Sequence, residues 1–265
     1  MSEISIVTAF FDIGRGNWTP DKGLPHYLQR SNDTYLERFS HLSKLENEIV
    51  IFTTNDLAPK IFEYRKDKGP TKVIIFPFLD IFKRELELIS KVQKNPEYQS
   101  KINPSQQKNP EYWSPEYVLV NYLKSYFVNR SIDSGLVSGE LVAWLDFGYC
   151  RSESILNNVK TWKYNFDKDK IHFFKIKDYT GTSIEQIIAN NDVHITGPCI
   201  VGGRNKWPTL EKLMKKSFNK LIGQNLIDDD QTLLLMAYLE DPKLFELHSV
   251  SQTDWFVIFR NFNET

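Results

Sequence analysis

Leu141-Val-Ala-Trp-Leu-Asp146-Phe-Gly-Tyr-Cys-Arg151 is an apolar run that stops abruptly at a carboxylate and then a glycine. A buried strand reads this way. A strand that stops at an aspartate sets that carboxylate at its carboxyl end, where ligand crevices open in α/β sheets. Asp146 is therefore the residue expected to meet a metal or a substrate. The competing reading is a turn Asp followed by a turn Gly, which any surface carries.

Upstream of this stretch the chain alternates between strand and helix patterns. Residues 4–11, 48–54 and 71–77 read as strands, and residues 35–45, 58–66 and 81–94 as helices. That β-α-β-α-β order predicts a mostly parallel sheet with helices on both faces. Residues 95–115 break the pattern. Asn95-Pro-Glu-Tyr98 recurs as Asn109-Pro-Glu-Tyr112, with an echo at Ser114-Pro-Glu-Tyr117. The period is too short for a solenoid, so the segment reads as a surface insertion or a mobile cover. Residues 116–129 then read as a helix. Residues 170–177 read as an edge or meander strand, and 194–203 as a short strand broken by glycines. Helices follow over 207–221 and 230–240, then strands over 244–248 and 255–259. The first half is regularly wound and the second mixed, with no linker between. One domain over 1–265 is expected, its halves meeting near residue 150.

Composition narrows the function. The 265 residues are 41% hydrophobic and 25% charged, an ordinary soluble balance. Thirty-three basic residues face 34 acidic ones, for a net charge of −1, which argues against a nucleic-acid partner. Cys150 and Cys199 lack metal-ligand spacing and read as free thiols. No signal peptide and no spanning segment is legible, so a cytoplasmic location is expected. Lys212, Lys215, Lys216 and Lys220 fall at helical spacing. They read as a solvated face, with contact to anionic lipid as the alternative.

Four groups of residues can carry chemistry. Thr8-Ala-Phe-Phe-Asp12-Ile-Gly-Arg15-Gly closes the first strand, with glycines for backbone approach and Arg15 for an anion. It is neither a dinucleotide fingerprint nor a Walker loop. Asp146 suits a hard cation but needs a second protein ligand. Gly197 to Trp207 contains Gly202 and Gly203, and Trp207 can stack on a sugar; a bulged strand entering a helix explains it equally. Asp228-Asp-Asp230-Gln231 opens a helix. One Asp satisfies a helix cap, which leaves another for hydrogen bonding or acid/base work. His248 is a candidate metal ligand, although a lone strand histidine is more often structural.

This order of motifs resembles nucleotide-sugar glycosyltransferases of the GT-A type. More narrowly, Val7-Thr-Ala-Phe-Phe-Asp-Ile-Gly-Arg-Gly-Asn-Trp18, Trp144-Leu-Asp-Phe-Gly-Tyr149 and the closing Trp255-Phe256 resemble the HtrL/YibB-like family, which is associated with bacterial surface-polysaccharide genes. The resemblance implies a GT-A-like (Rossmann-like) α/β domain. Residues 1–150 would form its nucleotide-binding half and 151–265 its acceptor-binding half.

By the same resemblance, Thr8, Phe10, Asp12, Arg15, Lys124 and Asp146 would bind the nucleotide sugar. Gly202, Gly203 and Trp207 would meet a glycan or glycolipid acceptor. Asp229 or Asp230 would be the catalytic base. Mn2+ or Mg2+ would sit on Asp146. Gly148 stands where an Asp-x-Asp motif has its second carboxylate, so His248 would complete the metal site or the enzyme would be metal-independent. The implied activity is sugar transfer to a growing capsule or lipopolysaccharide, with peripheral contact at the inner membrane as one setting. A non-catalytic nucleotide-sugar or glycan-binding protein is the rival reading. A two-metal phosphohydrolase is disfavoured by the lack of a His/Asp ligand set.

Overall fold

The structure is a computed structural model and describes residues 4–264. Its first half runs β1 (Ile4–Phe10), α1 (Asn32–Leu42), β2 (Ile49–Thr53), α2 (Ala58–Arg65), β3 (Thr71–Ile75), α3 (Phe78–Ile81), α4 (Lys83–Gln93), α5 (Pro96–Lys101), α6 (Pro115–Tyr122), α7 (Lys124–Asp133) and β4 (Leu141–Leu145). The second runs β5 (Ile171–Lys175), α8 (Ile184–Asn190), β6 (Ile195–Gly203), α9 (Trp207–Gly223), α10 (Asp230–Glu240), β7 (Phe245–Ser249) and α11 (Ile258–Asn261). Both halves feed one seven-stranded sheet of order β3-β2-β1-β4-β6-β5-β7. β6 runs antiparallel to both its neighbours, and every other pairing is parallel. The expected mixed α/β fold with a mostly parallel sheet is what the chain adopts.

Strand alternation divides the interior in two. Val7, Ala9, Val50, Phe52 and Trp144 face a core built with α4 to α7, α9 and α10. Ile4, Ile6, Ile49, Ile51 and Ala143 face the other, built with α1, α2 and α11. Period-two burial on both faces is what a sheet covered by helices requires. β1 is buried along its whole length, as its position among strands on both sides demands.

Several boundaries differ from the sequence reading for local reasons. Helix α1 starts at Asn32 because the Ser31 hydroxyl accepts from the Thr34 N–H and caps it. The Pro-Glu-Tyr repeats are packed into the fold, and the second lines the cavity described below. Asn95 and Ser114 cap α5 and α6, each followed by a proline at the first helical position. Tyr98 and Tyr112 are buried and donate their hydroxyls to Ile227 O (2.8 Å) and Ile188 O (2.6 Å). The repeated phrase is a repeated way to start a turn and sink a tyrosine. β5 is not an edge strand, since β7 pairs outside it. Residues 255–259 form no strand. That segment crosses the end of the sheet and enters α11, tied by Tyr149 Oη accepting from Ile258 N (3.1 Å) and Trp162 Nε1 donating to Phe262 O (2.7 Å).

β6 is continuous, and its glycines serve packing. A Cβ at Gly202 would lie 2.3 Å from Ile171 Cδ1, and one at Gly203 only 1.7 Å from Lys168 O. Trp207 is 0% exposed and donates its indole N–H to Val142 O. The expectation that Gly202, Gly203 and Trp207 contact an acceptor is corrected on this ground: all three are enclosed by protein. Lys212, Lys215, Lys216 and Lys220 are exposed on α9, with Lys216 paired to Glu240. Among the described residues no helix is long and apolar enough to cross a membrane.

Replacing Gly203 by Ala is expected to destabilise the protein by roughly 1–3 kcal/mol, the range for forcing an atom into filled space. Thermal denaturation reads this as a lowered Tm. An unchanged Tm would show that the β6 glycines are not clearance residues.

Candidate functional site

The chain lays down β1, β2 and β3 outward, then returns to place β4 on the other side of β1. Strand order reverses between β1 and β4, so their carboxyl ends diverge and leave a crevice. A cavity of about 360 Å³ opens there. Phe10, Asp12 and Arg15 line it beyond β1, Asp146, Phe147 and Gly148 beyond β4, with Lys124 from α7, Gly197 from β6 and Asp229 and Asp230 from α10. Five of the six expected donor-binding residues therefore converge. Thr8 does not: it is 0% exposed within β1 and does not reach the cavity. The strand ends only at Phe10, so position 8 lies inside the sheet.

The floor of the cavity is a buried ammonium. Lys124 Nζ lies 3.0 Å from Asp146 Oδ1 and 2.8 Å from Asp230 Oδ2, and donates to Gly197 O at 2.9 Å. Three acceptors satisfy its three protons. Burial alone would depress this lysine, but Asp146 and Asp230 outweigh it and hold its pKa above the ordinary range. Gly197 makes the approach sterically open: a Cβ there would sit 2.0 Å from Asp230 Oδ2. Trp144 Nε1 donates to Asp146 Oδ1 at 2.8 Å and fixes the same carboxylate from β4. Removing one partner of such a buried pair typically costs about 3–5 kcal/mol.

This arrangement does not fit a divalent cation at Asp146. The ammonium and the Trp144 indole occupy Oδ1, which leaves one carboxylate oxygen beside a fixed positive charge, and Gly148 offers no second carboxylate. His248 cannot supply the missing ligand. It lies on β7, three strands from β4, or roughly 14 Å at the usual strand spacing. It also packs on the opposite face, among Phe166, Phe174 and Phe262, whereas Trp144 and Asp146 belong to the α7 side. The expected Asp146–His248 metal pair is thus corrected.

One wall carries four guanidinium groups, from Arg15, Arg30, Arg38 and Arg151. Arg15 bonds Tyr35 Oη at 2.6 Å and stacks on Trp18, 4.9 Å from the ring centre. Its Nε has no partner. Burial, with repulsion from Arg30, lowers the pKa of Arg15 and Arg38. Arg151 is lowered by burial and by Arg30 and Arg38. Four cations gathered around one void make its potential positive, which favours an anion there. Asp12 shapes this wall: Oδ1 accepts from Gly14 N and Oδ2 from Asn32 Nδ2. Phe10 stacks on Phe147, ring centres 4.8 Å apart, and Trp255 and Phe256 add aromatic surface.

The opposite wall is acidic. Asp229 caps α10 through Oδ1, which accepts from Gln231 N at 3.0 Å. Asp228 accepts from Thr232 Oγ1 at 2.6 Å and does not line the main cavity. Glu111, brought in by the turn before α6, lines it and is buried. Burial, with neighbouring carboxylates, pushes Glu111 up to about 8 and Asp229 well above the carboxylate range. Burial likewise pushes Asp228 up to about 7. Asp230 is raised by burial, against the pull of Lys124.

Arg30, Arg38, Arg151, Tyr35 and Glu111 are the residues sequence reading missed. Arg151 ends the decisive stretch, and Glu111 sits in the second Pro-Glu-Tyr phrase. Neither carries a local signal, because only tertiary folding turns them inward.

The raised carboxyls make stability pH-dependent. Glu111 and Asp228 hold protons to about 8 and about 7 when folded, against ordinary values of 4.5 and 3.8. Over that window the folded chain binds more protons than the unfolded one, so stability falls as pH rises. Glu111→Gln is expected to flatten the decline in Tm from acid to mildly alkaline pH. Parallel Tm–pH curves for mutant and wild type would refute the assignment.

The structure aligns with that of mouse xyloside xylosyltransferase 1 in its apo form at a TM-score of 0.47 and 11% identity, over 92% of this chain and 84% of that one. Protein HtrL of Escherichia coli (strain K12) is 44% identical over 265 residues, spanning 98% of this chain and 93% of the relative. The family model described as "Bacterial protein of unknown function (HtrL_YibB)" matches residues 2–264. The chain therefore belongs to the HtrL/YibB family of bacterial proteins.

Proposed function

We propose that the protein is a glycosyltransferase that moves a sugar from a nucleotide-sugar donor to a glycan or glycolipid acceptor. The observation that carries this reading is the division of one cavity into a four-arginine wall and a buried acidic wall, joined by Lys124. A nucleoside diphosphate sugar has the matching parts. Its diphosphate suits the guanidinium groups, which can bind oxygen pairs in fork geometry. Its base suits the aromatic surface around Phe10 and Tyr35. The transferred sugar would then lie towards Asp229, Asp230 and Glu111. Residues 1–150 supply the donor wall on this reading, and residues 151–265 the acceptor side.

The chemistry follows from charge. The acceptor hydroxyl attacks the anomeric carbon, the bond from that carbon to the phosphate oxygen breaks, and the bonding pair leaves with the diphosphate. The arginines stabilise the departing charge, with the Lys124 ammonium adding to the field. The hydroxyl proton passes to the free oxygen of Asp229, whose raised pKa makes it a stronger base once ionised. Glu111 shares that titration. In this scheme the donor site works without a divalent ion, since the Lys124 ammonium already stands against Asp146. A surface-polysaccharide acceptor is the family-level expectation that fits this reaction.

A thermal-shift screen of UDP-, GDP-, ADP- and CMP-sugars tests the proposal. At a ligand concentration about 100 times Kd, the stabilisation is about 2.7 kcal/mol. One donor class is expected to raise the Tm equally with EDTA and with manganese. Failure of every donor would overturn the reading, and a strict need for manganese would overturn its metal-free form.

Asp229→Asn separates binding from chemistry. It is expected to keep the donor-induced shift and lose transfer by about 10²–10⁴-fold, the usual contribution of a general base. Transfer undiminished in Asp229→Asn removes it as the base. A wild type that binds donor but turns nothing over would instead be a nucleotide-sugar-binding protein. Arg38→Ala or Arg151→Ala is expected to weaken the donor shift itself, as loss of a charge-assisted contact does.

A further inference from the structure

Away from the donor cavity, β5 and β7 bring three metal-ligating side chains together. His172 stands opposite Glu246 in the parallel pairing, and His248 follows two residues later on β7. All three therefore project from one face of the sheet. His172 Nδ1 lies 2.9 Å from His248 Nε2. The two carboxylate oxygens of Glu246 lie 3.6 Å from the first nitrogen and 3.9 Å from the second.

The surroundings orient these groups. His172 Nε2 is 2.8 Å from the carbonyl oxygen of Asp167. A carbonyl only accepts, so Nε2 carries the proton and Nδ1 turns its lone pair to the cluster. A backbone carbonyl on the far ring nitrogen is the usual support of a metal-bound histidine. Phe166, Phe174 and Phe262 surround His248 and exclude water from that side. Burial lowers the pKa of both imidazoles, so protons compete weakly at neutral pH. Glu246 is half exposed and leaves a path from solvent.

We propose that His172 Nδ1, His248 Nε2 and Glu246 form a zinc-type cation site, with a fourth position open to water. Two imidazoles and one carboxylate suit Zn2+ better than Mg2+ or Ca2+, which prefer all-oxygen shells. Tetrahedral Zn–N bonds of 2.0–2.1 Å require ring nitrogens roughly 3.3 Å apart. The rings need to separate by only about 0.4 Å, which a side-chain adjustment of His248 provides. The site would act as a clamp. β7 ends at Ser249, and the chain then runs to Trp255 and Phe256, which line the donor cavity. A cation joining His248 to β5 fixes the root of that aromatic wall.

The test is a Zn2+ titration of EDTA-stripped, dialysed protein against a chromophoric chelator, with Co2+ absorption as the report on geometry. Wild type is expected to bind one equivalent and to gain Tm. Glu246→Gln and His248→Ala are expected to weaken binding on the order of a hundredfold or more. Glu246→Gln alters a half-exposed side chain and decides the matter if His248→Ala does not fold. The proposal is overturned if wild type takes up no equivalent, or if Glu246→Gln binds as tightly as wild type.

Discussion

The site depends on one buried ammonium. Lys124 joins α7 to β4 through Asp146, to β6 through the Gly197 carbonyl and to α10 through Asp230. Taking a lysine out of water is costly, and only close anionic partners reverse the cost. Those partners come from residues far apart in the chain, so the ion pair forms only when the sheet and both flanking helices are in place. Gly197 is part of the same constraint, because any side chain there would displace Asp230. The interaction that holds the cavity floor also sets a fixed positive charge beside the carboxylate a divalent ion would use.

Around that floor, charge is sorted. The chain as a whole has a net charge of −1, which conceals a cavity with cations on one side and protonatable carboxyls on the other. Unliganded, the arginines repel one another and the acids hold protons they would lose in water. Both walls are thus less stable than apolar ones would be. Local cost of this kind is retained where a ligand or a reaction uses it.

Much of this was legible in sequence where the signal is local. The β1 and β4 runs follow from apolar patterning ended by Asp12 and Asp146. The Asp229 cap follows from three carboxylates before an apolar helix. Gly202, Gly203 and Trp207 misled because a glycine needed for clearance and a glycine needed for a ligand look alike in one dimension. Their difference lies in Lys168 and Ile171, on a neighbouring strand and the turn before it. His248 misled for a related reason: strand order, which sequence does not display, puts it across the sheet from Asp146. Arg30, Arg38 and Glu111 sit in segments whose course is set by the Ser31 cap and by buried side chains such as Phe39 and Tyr112. A lone charged residue gives no hint of that course.

The C-terminal segment carries a consequence for biosynthesis. Tyr149 and Trp162 hold residues 258 and 262 by hydrogen bonds spanning 109 and 100 positions, and Lys124 reaches Asp230 across 106. Contacts of such separation close late, after large loops have paid their entropy. During vectorial synthesis, β1 to β4 can leave the ribosome with their arginines and carboxylates unpartnered. The cavity gains its Trp255–Phe256 wall only when residues 255–262 emerge. A chain cut before Trp255 would therefore lose part of the cavity wall rather than a dispensable tail.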